Sequence, residues 1–246
     1  MNMDMKRHLL RAFACFAAAA MVLGCQSAAK KAAKEAAAAA AAEQARQDSI
    51  AAALQAQKEK TADELFAKLP EEPVFDIETN LGTIKVKLYS KTPKHRDNFA
   101  KLALKGYYDG LLFHRVINNF MIQGGDPNTR NTTQEGKQTW GQGGPGYTIP
   151  AEFVPEYKHK KGALAAARRG DVANPKKESS GSQFYLVQSP ESCAQLDGEY
   201  TVFGETIQGI DIIDRIASVA TEVNDRPKME VKIKSISLDK SCLPEE

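Results

Sequence analysis

Cysteine is scarce in this chain, at four among 246 residues, and no two cysteines stand in a CxxC arrangement. That excludes a zinc ribbon or a thioredoxin-type redox motif. Histidine is as scarce: His8, His95, His114 and His159 are scattered, without the i, i+4 spacing of a helical metal site. No metal or cofactor is expected. An excess of one charge is missing too, since residues 71–246 carry 23 Lys and Arg against 24 Asp and Glu. A nucleic-acid surface needs a basic excess, so no nucleic-acid partner is expected. Nor is there a phosphate-cradling loop. "GQGGPG" (141–146) has no strand before it, no helix after it and no Lys-Ser or Lys-Thr ending, and it reads as a turn-rich surface loop.

What is present divides the chain into three parts. Residues 1–24 begin with Lys6, Arg7 and Arg11 and continue as an apolar run from Ala12 to Leu23, too short to span a bilayer as a helix. This is the pattern of an export signal. Val22, Leu23, Gly24 and Cys25 resemble the lipobox of bacterial lipoproteins, which implies lipidation at Cys25. The expected location is then the cell envelope, with the chain lipid-anchored to a membrane. Gln26 after the cysteine leans toward the outer membrane rather than the inner one. Residues 25–70 form a tract of Ala, Lys, Glu and Gln with no glycine or proline before Pro70. All are strong helix formers, and the apolar positions keep no heptad, so a solvated helical spacer is expected. At 1.5 Å per residue it would reach about 65 Å.

Residues 71–246 can bury a single core. "VFDIET" (74–79) and "TIKVKLY" (83–89) alternate apolar and polar residues across a short turn, which predicts a hairpin. Thr92 stands where an N-cap belongs, Pro93 follows at the first helical position, and Gly106 ends the pattern, which predicts a helix. Further strands are expected at 112–117, 120–123, 163–167, 184–188, 201–203 and 230–238, with a second helix over 209–218. Many short strands and few helices favour a mainly β fold in a closed barrel, which leaves no exposed edge.

"FHRVINNFMIQGGDP" (113–127) puts Arg115 in an apolar run with no acidic partner in its own strand. A guanidinium cannot serve as a base; it offers a fixed fork of donors and a permanent charge. Phe120 and Met121 are adjacent, so within one strand they would point to opposite faces, and one of them must leave the core.

Taken with "GGPGY" (143–147), "GALAAARRGD" (162–171), "SSGSQFYLV" (179–187) and "LDGEYTVFGE" (196–205), this stretch resembles the successive signature blocks of the cyclophilin-type peptidyl-prolyl isomerases. The resemblance covers about residues 73–240. It implies a closed eight-stranded antiparallel β-barrel capped by two helices, and catalysis of cis–trans exchange at Xaa-Pro bonds. It also implies roles. Arg115 would be the catalytic donor with Gln123 beside it, and Phe120, Met121, Tyr185 and Leu196 would form the proline pocket. Gln183 would be a polar positioner, Tyr200 would lie at the rim, and the backbone at Ala167 and Arg168 would bind the residue before the proline. Tyr185 stands where many relatives carry phenylalanine, and its hydroxyl needs a partner. The implied partners are proline-containing polypeptides, with the protein a monomer. A non-catalytic module or holdase gripping the same segments is the alternative. Cys193 and Cys242 would meet an oxidising compartment, which leaves a disulfide between them open.

Overall fold

The structure is a computed structural model that describes the backbone of residues 3–243 and the side chains of residues 33–243. The expected signal features and the Cys25 side chain lie outside the described side chains. The chain divides into two compact units, residues 1–57 and residues 58–246. Helix α1 (Met3–Phe66) supplies the first up to residue 57 and continues into the second, and its side chains over residues 33–57 are exposed, as the Ala/Lys/Glu composition predicts. Among the described residues no helix is long and apolar enough to cross a membrane.

The second unit contains β1 (Val74–Thr79), β2 (Gly82–Leu88), α2 (Pro93–Leu104), β3 (Arg115–Ile117), β4 (Met121–Gly124) and the short α3 (Gln134–Lys137). There follow β5 (Thr148–Ile149), β6 (Ala163–Ala166), β7 (Ser179–Ser180), β8 (Phe184–Val187), β9 (Val202–Gln208) and α4 (Ile210–Ala217). The two-residue strands β10 (Thr221–Glu222) and β11 (Arg226–Pro227) precede β12 (Ile233–Leu238). Eight strands form one sheet in the order β12-β1-β2-β9-β6-β8-β4-β3, every neighbouring pair antiparallel.

The expected closed barrel is not formed. The sheet is curled, and β12 and β3 are its ends. A bridge from Leu112 to Lys232, with Phe113 N–H donating to Val231 O (2.9 Å) and Ile233 N–H to Leu111 O (2.8 Å), ties the chain entering β3 to the chain entering β12. The strands themselves do not pair. β3 lasts only three residues before a turn in which Asn119 takes a positive φ of 60° and Phe120 N–H bonds Ile117 O.

Alternation sorts the strands into two faces. Phe75, Ile77, Ile84, Val86, Ile122, Leu164, Phe184 and Leu186 point inward, where α2 adds Phe99, Ala100 and Ala103 and α4 adds Ile212, Ile213 and Ile216. Phe66 and Leu69 pack on the same core, so the folded unit reaches upstream of residue 71. Helix α2 starts at Pro93 as expected, but Thr92 makes no side-chain cap. Glu152 supplies it, accepting from Lys94 N (3.0 Å), His95 N (3.0 Å) and His95 Nδ1 (2.6 Å). A carboxylate at a helix start answers both the orphan N–H groups and the dipole. Gly106 ends the helix at φ 69°, a left-handed turn that favours glycine.

Candidate active site

The opposite face of the same strands carries the site. In β3 and β4, Arg115 lies directly opposite Gln123 and Ile117 opposite Met121; in β8, Tyr185 lies opposite Gln123 and Val187 opposite Met121. Directly paired residues share a face, so the register alone brings Arg115, Gln123, Met121 and Tyr185 together. Ala165 of β6 pairs with Tyr185 and extends the face. A second apolar cluster forms there from Met121, Ala163, Ala165, Ala167, Tyr185, Val187, Cys193 and Val202, with Phe120, Leu196 and Tyr200 packed on it half-buried. Both Phe120 and Met121 therefore belong to one cluster, against the expectation that they part. Phe120 sits in the turn before β4, outside the strand, where alternation does not apply.

Arg115 is held from two sides. Its Nη1 donates to Gln123 Oε1 at 3.5 Å, and its Nε lies 3.4 Å from Asp225 Oδ2. The missing acidic partner is thus supplied from the loop between β10 and β11, where Asn224 and Asp225 take positive φ values of 67° and 58°. Asparagine and aspartate tolerate that region better than other side chains. Gln123 Nε2 donates to Gln183 Oε1 (3.0 Å), and Gln183 Nε2 donates to Gly141 O (3.1 Å) and Gly143 O (2.8 Å). A continuous line of polar contacts runs from the guanidinium to the glycine loop. That loop is a wall of the site as well as a surface turn. Asp126, fully buried, holds it by accepting from Gly141 N and, at 3.3 Å, from Gly143 N. The second glycine of "GGDP" is explained as well: Gly125 has φ 86°, and a Cβ there would lie 2.2 Å from Ser182 O.

Ala167 N–H donates to Gln183 O (3.0 Å) and its carbonyl accepts from Ser180 N–H (2.8 Å), so its main chain is already part of the fold. The Arg168 side chain is turned inward, 4% exposed, over the Tyr200 ring at 4.3 Å and paired with Asp171 and Glu199. Its guanidinium is committed to structure. Tyr200 in turn meets the Tyr185 ring edge-on at 6.1 Å.

The Tyr185 hydroxyl has the partner that its burial demands. It bonds His159 Nε2 at 2.8 Å, while His159 Nδ1 bonds Asp197 Oδ1 at 2.7 Å. The same carboxylate oxygen accepts from His159 N (2.9 Å). An ionised carboxylate only accepts, so Nδ1 carries the proton and Nε2 accepts from the tyrosine. Burial pushes the His159 pKa down and the Tyr185 pKa well up, favouring the neutral form of each. Burial works against ionisation of Asp197, but the bonds from His159 outweigh it and hold its carboxyl below the usual range. His114 is also buried, 5% exposed, and burial lowers its pKa to about 4 against the opposing pull of the Asp126 carboxylate and the Leu112 carbonyl.

Cys193 and Cys242 are free. Cys193 is buried beneath Phe120, and burial raises its thiol to about 11. Sequence reasoning missed Asp225, Asp126, His159 and Asp197. Only Asp126 had a local signal, the Asp-Pro step after two glycines; the others act across long separations.

The profile of the family described as cyclophilin type peptidyl-prolyl cis-trans isomerase/CLD matches residues 74–238. Peptidyl-prolyl cis-trans isomerase-like 1 of Mus musculus is 39% identical over 162 residues, spanning 65% of this chain and 89% of that protein. Peptidyl-prolyl cis-trans isomerase-like 2 of Rhizopus delemar is 38% identical over 176 residues, which is 71% of this chain but 30% of that longer protein. Among solved structures, a cyclophilin-type peptidyl-prolyl cis-trans isomerase of Cryptosporidium parvum superposes with a TM-score of 0.60 at 34% identity, covering 69% of this chain and 98% of its own. A second structure of that protein, determined in the presence of the dipeptide Ala-Pro, gives a TM-score of 0.58. With a family profile covering more than half its length and the matching sheet, this chain belongs to the cyclophilin-type peptidyl-prolyl cis-trans isomerases.

Proposed function

We propose that residues 71–246 catalyse rotation about Xaa-Pro bonds with Arg115 as the donor. The observation that carries this is the guanidinium braced by Gln123 and Asp225 on the same sheet face as the apolar cluster of Phe120, Met121, Tyr185 and Leu196. Rotation must break the partial double bond of the amide, a barrier of about 18–20 kcal/mol. No nucleophile and no proton transfer are needed. As the bond twists, the prolyl nitrogen gains a lone pair, and a donor aimed there stabilises the twisted state more than the planar one. The apolar cluster holds the proline ring while the preceding carbonyl turns, and Arg168's main chain is the near site for the residue before it. One charge-assisted bond contributes roughly 1.5–3 kcal/mol, or about ten- to a hundredfold in rate. Arg115→Ala is expected to lower kcat/KM by that factor in a proline-isomerisation assay, and turnover unchanged by it would sink the mechanism.

The same reading places the enzyme outside the cytoplasm, tethered through Cys25 and held off a membrane by the spacer, with exported polypeptides as clients. Its support is sequence alone: the basic start, the apolar run and the "VLGC" segment. Fractionation of cells carrying the full chain and a Cys25→Ala variant tests it. The native chain is expected with membranes and the variant in the soluble fraction; the same distribution for both would count against lipidation.

A further inference from the structure

Adjoining the Arg115–Gln123 pair is a cleft of about 760 Å³, walled by those two residues with His114, Lys137, Trp140, Asp225 and Arg226 among others. Its charge is uneven. Arg115, Lys137, Arg168 and Arg226 line it with one carboxylate, Asp225, and the buried carboxylate of Asp126 lies behind His114. Arg115 is matched by Asp225, and Arg168 by Asp171 and Glu199. Among the described residues Lys137 and Arg226 have no carboxylate within ion-pair distance. Glu222, opposite Arg226 in the β10–β11 pair, makes no ion pair with it.

These two cations are held in place. Arg226 Cζ lies 4.7 Å and Lys137 Nζ 5.9 Å from the centre of the Trp140 ring. Arg226 Nη2 donates to Lys137 O (2.8 Å), and the indole is fixed by Nε1 donating to Asn131 O (3.0 Å). An indole face attracts cations and lowers the cost of ordering their long side chains. The buried His114 lines the same cleft, with the Leu112 carbonyl and the Asp126 carboxylate as its near polar neighbours, and so serves as a neutral wall of it.

We propose that this cleft is a second client subsite, in which Lys137 and Arg226 receive an anionic side chain, carboxylate or phosphate, near the proline. The chemistry follows from two unmatched cations, ordered on one indole face, beside the reacting bond. It rests on Arg115 marking the prolyl position. Charge pairing at a partly exposed site is worth a roughly two- to fivefold preference per contact, and salt screens it.

The test uses the full chain and proline peptides that differ only at one position near the proline, carrying Glu, phosphoserine, Gln or Lys. At low ionic strength kcat/KM is expected to rank phosphoserine and Glu above Gln and Gln above Lys. The ratio of Glu to Gln should fall toward one in Lys137→Gln and in the double variant Lys137→Gln/Arg226→Gln. The single variant leaves the Lys137 carbonyl that holds Arg226 in place. A larger response to phosphoserine than to Glu identifies phosphate as the favoured source, and equal responses identify carboxylate as sufficient. Trp140 is the chain's one tryptophan, so binding can also be followed by fluorescence, independently of turnover. If acidic and basic peptides are turned over equally and quench Trp140 equally, the subsite is overturned. If no peptide is turned over but acidic ones alone change Trp140, the isomerase reading fails and the subsite stands.

Discussion

The two faces of one sheet are built from the same strands and have opposite compositions. The inner face is apolar and close to fully buried, with rings of Phe75, Tyr108, Phe184 and Phe203 around Phe99 at 5.2–6.0 Å. The other face mixes a small apolar cluster with Arg115, Gln123, Gln183 and the Tyr185–His159–Asp197 line. Period-two alternation lets each strand supply stability on one side and chemistry on the other, so changes on the two faces should separate in their effects.

The largest effect is expected inside. Phe99→Ala removes a ring from the centre of that packing and should cost about 3–5 kcal/mol of unfolding free energy, read by chemical denaturation. A small loss would mean that the inner face is not where stability resides. Next comes pH. The His114 pKa is depressed in the fold to about 4, against about 6.5 when exposed, so the unfolded state takes up the proton first as pH falls. Stability present above about pH 6.5 should therefore decline toward pH 4, by on the order of 3 kcal/mol, with His159 acting in the same direction. His114→Gln should flatten that slope; an unchanged slope would assign it to other groups. This effect sharpens the comparison, because it makes a polar group beside the site a source of stability.

Tyr185→Phe presses the same point at smaller scale. The ring stays, but His159 Nε2 loses its partner in a buried setting, at a cost of about 1–3 kcal/mol in stability. A neutral result would mean that water replaces the hydroxyl. Smallest is Asp225→Asn. Arg115 and Asp225 side chains are 42% and 45% exposed, so solvent weakens their pairing. A loss of up to about fivefold in kcat, with stability unmoved, is expected for a residue that orients the guanidinium. A change in KM alone would argue against that role.

Much of this was legible in the chain. The hairpin at 74–88, helix α2 and helix α4 follow from alternation, Pro93 and Gly106, and the signature blocks located Arg115 and its neighbours. Three things were not. The open seam between β3 and β12 depends on which strands pair, and periodicity carries no pairing information. The N-cap of α2 comes from Glu152, not Thr92, because a distant carboxylate can outcompete a local hydroxyl. Asp225 reaches Arg115 only because two left-handed residues turn its loop, which no local pattern announced.

One motif occurs twice. Glu152 accepts from the main-chain N–H and Nδ1 of His95, and Asp197 accepts from the main-chain N–H and Nδ1 of His159. The two clasps stand at either end of the stretch from Glu152 to His159, which has no strand or helix of its own. Such a stretch is anchored like a bridge between fixed piers, and what lies between them can vary in length. Closing a slightly longer loop costs little, since the entropy grows only with the logarithm of its length. Residues added near Pro155 and Glu156, both exposed, should lengthen the span without disturbing the apolar cluster around Tyr185 that the second pier supports.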